Sequence, residues 1–198
     1  MGAPLIFIRP IHFLCDGKNW IGTIKYVNGR CVLDHRALSN GQRLEIRALR
    51  PTDREDVLAA VERMSTQSLY RRFFTVRRHF SEAETTLFLN PDFVNHVALV
   101  AVAEEGGNPF IVGGGRYIVI EAGQAEVAFA VVDQFQGQGI GSALLRHLTS
   151  LARKAGLQEF VAEVLAENVP MLKVFEKSGL QGTARRESRT IHVVLRLA

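Results

Sequence analysis

Residues 134–148 read QFQGQGIGSALLRHL and place Gly137, Gly139 and Gly141 within five positions. Upstream lies AEVAFAVV (125–132), an apolar run of strand formers; downstream, Ile140, Leu144, Leu148, Leu151, Ala152 and Ala155 recur at threes and fours. That spacing predicts a helix from about Ile140 to Ala155 with one buried face, stopped by Gly156. Glycines at a strand-to-helix junction leave main-chain N–H groups bare and free to converge on one acceptor. The following helix adds the positive end of its dipole, worth about 0.3–1 kcal/mol per charge. Several charge-assisted N–H bonds at roughly 1.5–3 kcal/mol each outweigh that dipole, so the stretch reads as a phosphate cradle built from amides rather than from a lysine.

Two common phosphate loops do not fit. A Walker loop needs Gly-Lys-Ser/Thr, and Gly141 is followed by Ser142 and Ala143. A dinucleotide fingerprint needs GxGxxG, and Gly137-Gln138-Gly139-Ile140-Gly141-Ser142 has Ser at the third glycine. The spacing that remains is Gln136-x-x-Gly139-x-Gly141.

QGQGIG after AEVAFAVV resembles the Q/RxxGxG/A pyrophosphate loop of the GNAT superfamily of acyl-CoA-dependent N-acyltransferases. A second element stands at the family's distance. Asn168-Val169-Pro170-Met171 followed by Phe175-Glu176-Lys177-Ser178-Gly179-Leu180 is similar to the closing helix pattern NxxAxxxYxxxGF. The resemblance covers about residues 44–197. With SLYRRFF (68–74) and AEVLAENVPML (162–172) it is nearest the acetyltransferase domain of bacterial protein lysine acetyltransferases that modify acyl-CoA synthetases. It implies an α/β (α+β) GNAT fold, in which helices flank a central, mixed but mostly antiparallel twisted sheet. The implied activity is transfer of an acetyl group from acetyl-CoA to an amine, with a protein lysine as preferred acceptor and no metal. A small-molecule amine acceptor, or a non-catalytic acyl-CoA sensor, are the alternatives.

The resemblance also assigns residues. The backbone of Phe129, Ala130 and Val131 would hold the pantetheine arm and offer an N–H to the thioester oxygen, with a bulge in that strand splaying it from its neighbour. Gln136, Gly137, Gln138, Gly139, Ile140, Gly141 and Ser142 would hold the diphosphate, and Asn168 and Phe175 belong to the closing helix that completes the cofactor site. The acceptor amine is protonated at neutral pH and needs a base. Glu126 is the only ionisable residue of AEVAFAVV; alternation puts it on one face with Ala128 and Ala130, and by resemblance it is the general base, activated by burial in the strand. The family's usual Tyr, a proton donor to the departing thiolate, is replaced by Phe175; Tyr70 and Tyr117 are other candidates, unless a thiolate of pKa about 8.5 leaves unaided. In SLYRRFF, Leu69, Phe73 and Phe74 fit a packed helical face, while Tyr70, Arg71 and Arg72 are candidates for the acceptor channel.

The remaining sequence sets bounds. The 198 residues are 47% hydrophobic and 22% charged, the range of globular domains and far from disorder. A net charge of +4, without a run of five or six like charges, fits a polyanion pocket or a nucleic-acid surface and is too small to decide between them; no nucleic-acid partner is expected. PLIFI and IHFL, split by Arg9 and Pro10, make neither a secretory signal nor a membrane span, and Ile6 stands where a myristoylation signal needs Ser or Thr. Cys15 and Cys31 make no disulfide scaffold, so a reducing cytoplasm is expected. Residues 1–43 read as an N-terminal β arm, with Asn28-Gly29 as a type I′ hairpin turn, and 44–198 as the acetyltransferase domain. The arm is too small to be stable alone and would pack on the main body or on a second copy, which makes a homodimer plausible. His12, Cys15, Cys31 and His35 have zinc-ligand types, but alternation puts His12 and Cys15 on opposite strand faces.

Between arm and glycine loop the sequence predicts a strand at LEIRAL, a helix opened by a Thr52–Glu55 capping box, a short helix at SLYRRFF and a helix opened by a Ser81–Glu84 box. Strands at 96–104 and 110–121 follow, joined by a Gly106–Pro109 loop. After the glycine loop come a strand at EFVAEVL, the Asn168 helix with Pro170 in its first turn, and two closing strands.

Overall fold

The structure, a computed structural model, describes residues 25–27, 30–38 and 41–197. His12 and Cys15, and the Asn28-Gly29 turn, lie outside them. The elements in chain order are β1 (Lys25–Val27), β2 (Arg30–Ala37), β3 (Arg43–Ala48), α1 (Arg54–Glu62), α2 (Thr66–Phe73), α3 (Glu82–Leu89), β4 (His96–Glu105), β5 (Asn108–Glu121), β6 (Gln124–Val131), α4 (Ile140–Lys154), β7 (Glu159–Leu165), α5 (Val169–Glu176), β8 (Gly182–Glu187) and β9 (Thr190–Arg196). The strands form one sheet in the order β1-β2-β3-β4-β5-β6-β7-β9-β8. Every neighbouring pair is antiparallel except β6 and β7. Strands β3 to β9 with the five helices make a mixed, mostly antiparallel core of the kind the GNAT resemblance implies, and β2 joins β1 to the β3 edge of the same sheet.

The central strand β4 is buried from His96 to Ala103, which explains its unbroken apolar reading where a half-exposed strand would alternate. Helix α4 puts Ile140, Leu144, Leu145, Leu148 and Leu151 into the core at 3% exposure or less, and each such side chain contributes about 1.5–3 kcal/mol. It packs on the face that carries Phe129: a Cβ built on Gly115 would meet Phe129 at 2.7 Å and Leu148 at 3.2 Å. Helices α1 to α3 cover the opposite face, that of Gly114, Ala128 and Ala130.

Two turns differ from the sequence expectation. Strands β4 and β5 run on to Glu105 and Asn108, leaving only Gly106-Gly107, at φ +58° and +84°, as a tight hairpin turn. The Thr52–Glu55 box does not form. Pro51–Asp53 is a 3₁₀ turn, and the Asp53 carboxylate instead accepts from the Arg50 N–H (2.8 Å) and from both terminal nitrogens of buried Arg47 (2.6 and 2.8 Å). A charged donor in the core outcompetes the local cap. The Ser81–Glu84 box forms as expected, with Glu84 Oε2 accepting from the Ser81 N–H at 2.9 Å.

Candidate active site

Strands β6 and β7 pair only between Gln124–Glu126 and Glu159–Val161. Beyond Glu126 they part: β6 stays with β5 as far as Val131, and β7 stays with β9 along its whole length. The result is a cleft of about 590 Å³ that runs from the fork, at Glu126, to the glycine loop. The expected bulge along the cleft stretch of β6 is absent, since its register with β5 is regular from Ala125 to Val131; the register shifts lie in β5, near Val112 against β4 and at Val119–Glu121 against the start of β6.

Alternation decides which main-chain groups reach the cleft. The Val132 N–H donates to Val112 O at 2.9 Å, so even-numbered residues of β6 face β5. Past the last ladder pair, Glu126–Val161, the N–H groups of Phe129 and Val131 therefore point into the gap, and that of Ala130 into the sheet. Ala130 contributes its small side chain to the cleft wall instead.

At the other end, Gly137 and Gly139 adopt left-handed φ of +74° and +78°, and Gly139 is the N-cap of α4. The first helical bond is Ala143 N–H to Gly139 O at 3.0 Å. Ile140, Gly141 and Ser142 thus open the helix with N–H groups that have no intrahelical acceptor, a cradle suited to a diphosphate. Gly141 differs from both: its φ is not left-handed, and an added Cβ would sit at an ordinary 3.5 Å from Val174, so neither backbone conformation nor space demands glycine there.

One cleft therefore gathers Glu126, Phe129, Ala130, Val131, Gln136, Gly137, Gly139, Ile140, Gly141, Ser142, Asn168 and Phe175. Gln138 is the exception; it does not line the cleft, and its side-chain amide donates to Gln134 O at 3.2 Å. Asn168 caps α5 through Met171 N–H (3.3 Å), and the buried Phe175 ring packs edge-on against Phe129, 6.1 Å between centroids.

Glu126 is exposed, where the sequence reading expects burial in the strand. Its charged neighbours are Arg72 and Arg116. Burial foremost, then the nearby Arg116, lowers the Arg72 pKa to about 10, with Glu126 acting in the opposite sense. Neither tyrosine candidate lines the cleft. Tyr117 is fully buried, its ring 5.6 Å from that of Phe160, and burial raises its pKa, the reverse of what a proton donor needs. Phe74 is half-exposed in a left-handed cap, not packed with Leu69.

Sequence reading missed how the site is held together. Asp133 accepts from Ser65 N–H (2.8 Å), Ser65 Oγ (2.6 Å) and Ser68 Oγ (2.8 Å), which ties the segment after β6 to the start of α2. Partial burial opposes ionisation there, but these hydrogen bonds prevail and hold the carboxyl below its usual range. Gln136 adds bonds from its amide to Ser68 Oγ (3.0 Å) and Val131 O (2.9 Å). Lys173 on α5 and Lys177, its C-cap, also line the cleft and add two cations to it; their spacing of four was the available signal.

Comparison with known proteins settles the family. Residues 63–180 match the model of the acetyltransferase (GNAT) family. The chain belongs to the GNAT family. It is an acyltransferase that takes acetyl-CoA as acyl donor. It is 36% identical over 141 residues to acetyltransferase Pat of Mycolicibacterium smegmatis, covering 70% of this chain and 41% of that one. It is 32% identical over 168 residues to acetyltransferase PA5475 of Pseudomonas aeruginosa, covering 83% and 90%. The GNAT domain of S. lividans PAT superposes with a TM-score of 0.73 at 33% identity, over 82% of this chain and 96% of that domain. The GNAT domain here thus accounts for less than half the length of the Mycolicibacterium relative.

Proposed function

We propose that this GNAT domain acetylates the side-chain amine of a lysine on a protein, with Glu126 as general base. The observation that carries the reading is the fork itself. Glu126 is the last residue of β6 paired with β7, so its carboxylate sits where the gap opens, on the side of the main-chain donors away from the glycine cradle. Likeness to Pat and to the S. lividans PAT domain supports an acceptor on a protein. Phe74 and Val169, large apolar side chains that line the cleft and are 42% and 49% exposed, offer a docking surface at its rim.

The chemistry follows from what each group can do. An alkylammonium of pKa about 10.4 must lose a proton before it attacks. Glu126, open to solvent, takes that proton through a water. The free amine adds to the thioester carbonyl, and the N–H groups of Phe129 and Val131 stabilise the developing oxyanion. The C–S bond then breaks and coenzyme A leaves as thiolate. Phe175 offers no hydroxyl, which a leaving group of pKa about 8.5 tolerates at neutral pH.

Release of thiol from acetyl-CoA in the presence of an acyl-CoA synthetase, with peptide mass mapping of the acceptor, tests the reading. The expected result is a mass shift on one lysine, and a drop in kcat of about 10²–10⁴ for Glu126→Gln with coenzyme A affinity kept. Acetylation of free amines but of no protein would sink the lysine assignment; full activity in Glu126→Gln would sink the base.

A further inference from the structure

A second cavity of about 150 Å³ lies between the sheet and helices α1 to α3. Its floor is made of small residues, Ala98, Gly114, Ala128 and Ala130, and its roof of apolar side chains from the three helices. Met64, Arg72, Ala128 and Ala130 line both this chamber and the cleft. The chamber therefore adjoins the cleft along β6, beside the donors for the thioester carbonyl and away from the phosphate cradle. An apolar cavity of this size holds about as much as a six-carbon ring, far more than the methyl of an acetyl group.

Among the described residues, only two charged side chains line it, Arg72 and Arg116. Each guanidinium rests on an aromatic face, Arg116 at 4.2 Å from the Phe88 centroid and Arg72 at 4.9 Å from that of Phe73. Neither has a hydrogen-bond or ion-pair partner among the described residues. Burial lowers the pKa of both, and only Glu126 opposes that effect. Two half-buried guanidiniums whose donors no acceptor among the described residues takes, set beside one carboxylate, leave room for an anion on their open donors. Arginine presents a planar fork matched to a carboxylate.

We infer that the chamber receives an acyl group ending in a carboxylate, so that the domain accepts the coenzyme A thioester of a short dicarboxylic acid besides acetyl-CoA. The inference rests on the acyl-transfer reading of the same cleft. The carbon stem lies over Gly114 and Ala130, and the distal carboxylate meets Arg72 and Arg116. The transfer is otherwise unchanged: the C–N bond forms as the C–S bond breaks, Glu126 takes the amine proton, and the distal carboxylate is a spectator.

Calorimetric titration of the full chain with acetyl-, butyryl- and glutaryl-CoA tests this without a known acceptor. Glutaryl-CoA is expected to bind about ten- to a hundredfold more tightly than butyryl-CoA. Arg116→Gln and Arg72→Gln should each remove most of that ratio, and Arg116→Lys should keep part of it. Thermal melts check folding, and Arg72, on the surface helix α2, stands in should the strand variant unfold. A wild-type ratio near one, or a ratio that survives both Gln variants, overturns the inference while acetyl-CoA binding leaves the family reading standing. Failure to bind acetyl-CoA removes both. The second arm holds acetyl-CoA constant and compares leucine with its decarboxylated amine as acceptors; a carboxylate preference found only there assigns the arginines to the acceptor and overturns the donor assignment.

Discussion

The three glycines of the loop are not equivalent, and alanine substitution separates their duties. Gly137 and Gly139 sit at φ +74° and +78°, where an L-residue costs about 1–2 kcal/mol. At Gly137 an added Cβ meets nothing within 4 Å, so the penalty there is conformational and not steric. The loop escapes the strain by rotating the peptides that carry the cradle's N–H groups. Loss of one charge-assisted bond, at roughly 1.5–3 kcal/mol, weakens coenzyme A binding about ten- to a hundredfold. Gly141 has helical φ and open room, its Cβ at an ordinary 3.5 Å from Val174. Alanine there gains up to about 1 kcal/mol of helix propensity and keeps the N–H in place. Titration with coenzyme A and urea unfolding of the three single variants is the assay. Gly141→Ala should bind within about twofold of wild type and be no less stable, while Gly137→Ala and Gly139→Ala lose both affinity and stability. Equal loss of affinity in all three would refute the division of duties.

Asp53→Ala should destabilise by about 3–5 kcal/mol, because it leaves Arg47, 7% exposed, with Glu45 at 3.7 Å as its nearest carboxylate; at this chain length that lowers Tm by about 6–20 °C in a thermal scan. Replacing both partners, Arg47→Met with Asp53→Leu, should recover much of the loss. Asp133→Ala should cost about 1–2 kcal/mol in urea unfolding, three hydrogen bonds at a largely exposed carboxylate, and raise KM for acetyl-CoA as the segment before the glycine loop loosens. Glu84, bonded first by Arg77 and then by Ser81, has its pKa lowered to about 2. With an unfolded value near 4.3, its contribution is fully present above that pH and is lost as the pH falls toward 2, so the stability gap between wild type and Glu84→Gln should close over that interval.

The sequence is legible wherever local chemistry decides the outcome. EFVAEVL is β7 residue for residue, Gly156 and Gly179 end their helices at φ +82° and +74°, and Asn168 caps α5. Most of the residues that line the cleft are those the GNAT resemblance names, carried by the motifs of the loop and the closing helix. What failed needed knowledge of distant partners. Thr52 and Glu55 have capping-box spacing, but Asp53 is drawn to Arg47, six residues back on β3. Glu126 lies in an apolar run, yet it points to the open fork, because β7 leaves β6 at that position. Asp133 belongs to no local motif, and its partners stand 65 and 68 positions away.

The fork illustrates the same limit in the backbone. A bulge in β6 would have been a local device, but β6 is regular, and the opening is held by what each strand does elsewhere. Strand β7 is engaged with β9 over all seven residues. The end of β6 is drawn toward α2 by the Asp133 and Gln136 bonds to Ser65 and Ser68, with Gln136 also occupying Val131 O. The strand edges facing the gap are left with unpaired main-chain groups, a liability that proteins ordinarily cover. Here the uncovered edge lies between a carboxylate and a phosphate cradle, where an extended amide-bearing chain such as pantetheine can pair with it as an added strand would. On the proposed reading, the two arginines beside Ala128, each resting on an aromatic ring, repeat the pattern in charge: main-chain donors take the thioester carbonyl and guanidinium donors take the distal carboxylate.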